Sequence, residues 1–363
     1  AEEIVKKKSL ENEKAFKASN SALLAMDAKN GQILSMVGSR DYFDKTIDGA
    51  FNVVTAKRQP GSSFKPIVYA TGFQKGYTPE TILFDVPTEF STTCKSDPKT
   101  CYNPNNFDNL FKGPISARNA LVESRNVPAV KMLYLVGLDN ALDMARNLGI
   151  TGLGDKSKYG LSLVLGGGEV SLLDMTTAYG VFANSGVKNQ ATGILEVKDR
   201  KGIVIEKFEE LQNTALDKNI ALQISDVISG TSYALPGTAA KTGTTDDNRD
   251  AWVMGYTPSV VVGVWSGNND NKSMTKGSTI SVPTWREFMS EVIKKYPSEP
   301  FEKPLQDPDY YSLKPVLRGV WLGNKTVFID KITGKLATEN TPIEAREERV
   351  VTNVQDILYW VDK

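Results

Sequence analysis

The apolar pattern of this 363-residue chain changes period twice, and that limits its possible folds more than any other feature. Residues 21–39, "SALLAMDAKNGQILSMVGS", form two apolar runs around Asn30-Gly31, the strongest short signal for a β-hairpin. From Ser62 to about Gly186 the spacing is helical, clearest in "ISARNALVE" and "PAVKMLYLVGLDNALDMARNLG" and broken by a polar loop over 85–114. Strand-like runs then return in "TGILEVKD" and "GIVIEKF". After a helical stretch near 216–229 come "GTAAKTGTT", "DAWVMGYT" and "SVVVGVWSG". Strands at both ends with helices between predict an α+β fold: one antiparallel β-sheet, built from 21–40 and 190–267, covered by helices, with a separate helical block over about 62–186. Residues 1–20 are dense in charge and helix formers and read as a linker or docking helix. Residues 301–363 read as a small C-terminal extension in which "VFIDKITGKLATENTP" resembles a hairpin.

Composition narrows the chemistry. Lys plus Arg equals Asp plus Glu at 43 each, so nothing points to nucleic acid as a partner. No apolar run approaches the roughly 18 residues of a membrane span. The chain starts at Ala1 without a signal-peptide pattern and reads as a processed form or a piece of something longer. It contains no histidine. Ser-His-Asp and Cys-His catalysis and His-ligated zinc are therefore excluded, and proton transfer falls to Lys, Asp, Glu or Tyr. The only cysteines, Cys94 and Cys101, cannot make a four-cysteine metal site. Their turn-rich setting suits a short disulfide in an oxidising compartment and equally suits two free thiols.

Three short stretches carry candidate chemistry. In "RQPGSSFKPIVYATGF" the serines read as helix-capping residues, and Pro66 confines the helix start to about Ser62 or Ser63. Residues three apart share a helix face, so Ser62 points the same way as Lys65 and Ser63 does not. If either serine is a nucleophile, it is Ser62. In "ESRNVP", Ser124 and Asn126 flank Arg125 in a link between helices, with Pro128 in the first turn of the second. In "AAKTGTTDD", Lys241-Thr242-Gly243-Thr244 lies on a predicted strand, where a glycine often marks close approach of another backbone or a ligand. Taken singly, these are ordinary caps, turns and a surface strand. "LVLGGGEVS" lacks the continuation of a phosphate loop and receives no role.

Taken in order, Ser-x-x-Lys, Ser-x-Asn and Lys-Thr-Gly form the motif set of the penicillin-recognising serine enzymes. "RQPGSSFKP", "ESRNVPAVKM" and "KTGTTDDNRDAWVMGYTP" closely resemble the transpeptidase (penicillin-binding) domain of class A penicillin-binding proteins, the bifunctional peptidoglycan synthases, over about residues 20–290. The resemblance implies the β-lactamase-like fold and a D,D-transpeptidase that cross-links stem peptides ending in D-Ala-D-Ala and is acylated by β-lactams. It also implies an N-terminal glycosyltransferase domain and membrane anchor in the full-length protein, and an extracytoplasmic location in which a Cys94–Cys101 bridge can form. Ser62 would be the nucleophile, Lys65 its base, and Ser124 and Lys241 the proton relay. Asn126, Thr242, Gly243 and Thr244 would bind substrate, with the backbone N–H groups of Ser62 and Thr244 as the oxyanion hole. No metal or cofactor is expected. D,D-carboxypeptidase, β-lactamase and non-catalytic penicillin sensor are the alternatives that share these residues. The flanking match and the lack of a recognisable loop bearing a water-activating glutamate favour the transpeptidase.

Overall fold

The computed structural model describes residues 1–352 apart from Ser278, Ser298, Leu322, Gly323, Leu336 and Asn340. Residues 353–363, which close the expected C-terminal extension, lie outside the described residues. The chain begins with α1 (Glu2–Phe16), β1 (Asn20–Asp27) and β2 (Ile33–Val37). A helical region follows: α2 (Lys65–Gln74), the small pair β3 (Ile82–Asp85) and β4 (Gly113–Ser116), α3 (Ala117–Val122), α4 (Asn126–Val136), α5 (Leu138–Asn147) and α6 (Leu172–Ala183). Four short strands come next, β5 (Val187–Asn189), β6 (Glu196–Lys198), β7 (Val204–Lys207) and β8 (Gln212–Thr214), before α7 (Lys218–Ser229). The chain closes with β9 (Ala239–Thr244), β10 (Asp250–Tyr256), β11 (Val260–Gly267), α8 (Val282–Lys295), β12 (Asn324–Asp330) and β13 (Arg346–Thr352).

The main sheet has the order β2-β1-β11-β10-β9, antiparallel throughout. Its central strands β1, β11 and β10 are buried almost throughout because both faces are covered. Leu24 and Met26 face the helical region with Trp252, Met254, Val261 and Trp265. Leu23 and Ala25 face the opposite way, packing with Val253, Val262 and Val264 against Trp285 and Met289 of α8 and Val5 of α1. The charged α1 is thus a docking helix, burying Val5, Ser9 and Asn12 at one-turn spacing while Lys7 and Lys8 reach Glu287 of α8.

Three expectations need correction. The strands at 190–214 do not join the main sheet, which draws only on 20–37 and 239–267. They lie in two separate two-stranded ribbons, β5-β8 and β6-β7; the side chains of β6, β7 and β8 are largely exposed, while β5 packs on α6. At the C-terminus, the turn after β12 closes as expected, with Ala337 N–H donating to the Phe328 carbonyl. The longer pairing of β12, however, is with β13, which sequence reading left unassigned. Finally, the serines near Pro66 do not cap a helix: residues 61–64 form a 3-10 turn, and α2 starts at Lys65.

Candidate active site

The turn carrying Ser62 is fixed by backbone contacts from three directions. Gly61 sits at φ 56°, and a Cβ there would lie 2.3 Å from the Thr244 carbonyl oxygen, so the end of β9 rests directly on the turn. Gly166, at φ 90°, presses from another side, where an added Cβ would be 2.1 Å from the Gly61 nitrogen. A Cβ on Gly243 would likewise lie 2.1 Å from the Pro60 carbonyl oxygen. Hydrogen bonds complete the brace: Tyr179 Oη donates to the Ser63 carbonyl at 2.7 Å and Trp252 Nε1 to the Gln59 carbonyl at 2.8 Å. Within this turn the serines are unequal. Ser63 is fully buried with Oγ donating to the Pro60 carbonyl at 2.7 Å, whereas Ser62 is part exposed.

Lys65 and Lys241 are both fully buried and converge on Ser124. Lys65 Nζ donates to the Ser124 carbonyl at 2.6 Å and to Asn126 Oδ1 at 2.8 Å, and lies 3.4 Å from Ser124 Oγ. Lys241 Nζ donates to Ser124 Oγ at 2.8 Å and to the Thr242 carbonyl at 3.0 Å. Lys241 lies on the face of β9 that Ala239 turns to the helical region, opposite Thr242 and Thr244, so its side chain enters the site directly. The expected contact between Ser62 and Lys65 is not a hydrogen bond here, since Nζ is turned to Ser124 and Asn126. Catalytic hydrogen bonds are often long in a free enzyme and tighten on binding.

The electrostatics follow from this packing. Burial, then the positive charges of Lys241 and Arg125, hold the Lys65 pKa well below the ordinary 10.5, with Asp85 opposing. Burial brings Lys241 down to about 7. At neutral pH the site can therefore hold a neutral amine, which is what a lysine base requires.

β9 is an edge strand, so alternate residues turn their N–H groups away from β10. Thr242 N–H, which donates to Tyr233 Oη at 3.0 Å, marks that open side, and Thr244 shares its parity. Thr242 and Thr244 are part exposed, as is Asn126. All eight candidate residues thus come from the Ser62 turn, the α3–α4 link and β9, and meet around one site. Cys94 and Cys101 are disulfide-bonded in the 85–114 loop. Glu89 lies beside that bridge, but sulfurs bonded to each other offer no thiolate to a metal.

Sequence reading missed Gly166, dismissed with its neighbours because no phosphate-loop pattern followed. It also missed Asp85 and Asn106, single polar residues in a loop whose burial no periodicity reveals.

Antiparallel sheet, helical region and three motifs at one cleft define the class: a penicillin-binding domain of the histidine-free serine type. Residues 21–290 match the family described as the penicillin binding protein transpeptidase domain, and the chain belongs to that family. It is 34% identical over 291 residues to penicillin-binding protein 1A of Neisseria gonorrhoeae, covering 75% of this chain and 36% of that protein. It is 30% identical over 371 residues to penicillin-binding protein 1A of Rickettsia conorii, covering 93% and 43%. The chain therefore spans well under half the length of these relatives. Among solved structures, PonA1 of Mycobacterium tuberculosis in complex with penicillin V superposes with a TM-score of 0.72 at 21% identity, covering 84% of this chain and 86% of that one. Penicillin-binding protein 1A of Haemophilus influenzae gives 0.68 at 21% identity, over 92% and 53%.

Proposed function

We propose that this chain is the D,D-transpeptidase part of a longer, bifunctional peptidoglycan synthase, with Ser62 as the nucleophile. The observation that carries this reading is the convergence of two buried lysines on Ser124, beside a turn that exposes Ser62 and buries Ser63. Neutral Lys65 takes the Ser62 proton as Oγ attacks the carbonyl carbon of the penultimate D-alanine. The tetrahedral oxyanion is held by the N–H groups of Ser62 and Thr244, donors fixed before reaction by the backbone contacts around Gly61. As the C–N bond breaks, Ser124 gives its proton to the departing D-alanine nitrogen and is reprotonated from Lys241. Asn126 holds the substrate amide. Thr242 and Thr244 bind the terminal carboxylate, while the bare Gly243 lets the strand approach. Lys65 then passes its proton through Ser124 to Lys241, takes the proton of an attacking amine of a second stem peptide, and returns it to Ser62 Oγ as the ester C–O bond breaks.

A β-lactam acylates the same serine, and the sequence has no recognisable loop bearing a water-activating glutamate, so that adduct should persist for many minutes or longer. We further propose that the full-length protein carries a glycosyltransferase domain and a membrane anchor and displays this domain outside the cytoplasmic membrane. The class A resemblance and the closed Cys94–Cys101 bridge support that location. Among the described residues no helix is long and apolar enough to cross a membrane.

Intact mass after incubation with a penicillin tests the nucleophile. One adduct is expected on the Ser62 peptide, lost in Ser62→Ala and kept in Ser63→Ala. Survival of the adduct in Ser62→Ala overturns the reading. Fast, multiple-turnover hydrolysis of penicillin, with no gain from an added amine acceptor, would move the assignment to β-lactamase.

A further inference from the structure

The 85–114 loop brings to the site two buried polar residues that the chemistry above leaves without a task. Asp85, at the end of β3, is fully buried, and a carboxylate there is costly unless its oxygens are met. They are: Oδ1 accepts from Asn106 Nδ2 at 2.6 Å, and Oδ2 accepts from Arg125 Nε at 2.8 Å and from Lys112 N–H at 3.2 Å. Arg125 is the residue between Ser124 and Asn126. Its other guanidinium nitrogens donate to Asp108 Oδ2 at 2.7 Å and to the Leu110 carbonyl, so its side chain is wholly engaged by the loop.

α4 also lacks a local cap, since a guanidinium has no acceptor to offer. Arg125 occupies the cap position, and its side chain accepts nothing. The orphan N–H groups of the first turn are met instead by Asn106, whose Oδ1 accepts from Asn126 N–H at 2.8 Å and Val127 N–H at 3.3 Å. The third position is Pro128, which has no N–H. Asn105 supplies the remaining bond, its carbonyl accepting from Asn126 Nδ2 at 2.9 Å. This fixes the amide so that Oδ1 faces Lys65. Ser124, just upstream, holds φ 59°, a conformation a non-glycine residue keeps only when its surroundings impose it.

We propose that Asp85 and Asn106 are positioning residues for the transpeptidase site, Asp85 orienting Asn106 and Arg125 so that the start of α4 presents Ser124 and Asn126 to the two lysines. The inference rests on the transpeptidase reading.

The test is the acylation rate of the whole chain with a fluorescent penicillin, followed against pH and penicillin concentration. Asn106→Ala should slow acylation about ten- to a hundredfold, mainly in the acylation step rather than in prior binding. Asn106→Asp sets two carboxylates against each other and should be slower still. The swap Asp85→Asn with Asn106→Asp restores a donor–acceptor pair and the cap, and should recover acylation to within a few fold of the unmodified chain. Asp85→Asn alone should move the acid limb of the profile to lower pH. Lys65 faces Lys241 from β9, Arg125 from the α3–α4 link and Asp85 from β3, and only the last favours its protonated form. Single variants within twofold of the unmodified chain overturn the proposal. So does a swap that stays slow or does not fold. Should the unmodified chain form no adduct at Ser62, the transpeptidase reading fails instead.

Discussion

The turn around Ser62 and the link around Ser124 supply the two halves of one site, yet they are held in opposite ways. Ser62 is braced by backbone against backbone, with Gly61 on Thr244 and Gly166 on Gly61 and no room for a methyl group at either contact. The Ser124 link is held by side chains reaching in from an exposed loop, in which Asn106 alone among residues 101–110 is buried. Close-packed backbone admits no partial loss, whereas polar anchors fail one bond at a time. The nucleophile is thus locked in place, and the proton-relay side is adjustable.

The largest effect should come from the locked half. Gly61→Ala puts a methyl group 2.3 Å from the Thr244 carbonyl at a left-handed φ and should cut acylation by about a hundredfold or more. A variant that acylates normally would erase the contrast. Next is Lys241→Met. Removing that neighbouring charge raises the Lys65 pKa, so the acid limb of acylation should move to higher pH in a stopped-flow profile.

The same lysines set the stability profile. Their folded pKa values lie below the unfolded lysine value, so between about 7 and 10.5 the unfolded chain binds more protons and stability rises with pH. Each unit of depression is about 1.4 kcal/mol. Melting temperatures from pH 7 to 10 should climb in the unmodified chain and flatten in Lys241→Met. An unchanged slope would count against a neutral lysine.

Smaller effects belong to the adjustable half. Replacing Cys94 and Cys101 by serine opens a loop of seven-residue separation, which should cost at most about 2–3 kcal/mol and slow acylation less than Asn106→Ala does. Thiol titration of unreduced, denatured protein should find no free thiol. Two would remove this support for an extracytoplasmic site. Smallest of all, trimming the β6–β7 ribbon to a short linker should leave acylation unchanged within twofold.

What the sequence made legible depended on whether a structure is specified locally. Asn30-Gly31 fixes its hairpin within a few residues, Pro66 marks a helix start though two or three residues too early, and the three motifs need only their own spacing to be found. Burial and partnership are not local. "GIVIEKF" has the β-branched run of a sheet strand, but such a run does not say which sheet a strand joins, and β7 stays on an exposed ribbon. Asp85 ends an apolar run and looks like a loop residue until Arg125, forty positions later, folds over it. Lys241 shares the parity of Ala239 and faces the helical region, but a lysine in a strand gives no sign that it will be buried against a second one.

The strand order of the main sheet also bears on how the domain comes into being. β1 lies beside β11, with Asn20 opposite Gly267, and the nucleophile turn is seated on β9. Leaving a ribosome or a translocation channel, β1 must wait for nearly 250 residues before its second partner, β11, arrives. Such long-range pairing is slow to form. The wait leaves β1 paired on one edge only, with β2, and a nascent chain that ends before β11 should have no penicillin-reactive serine. Arrested chains of increasing length, probed with a labelled penicillin, should stay silent until about residue 267 is free and then react in a single step.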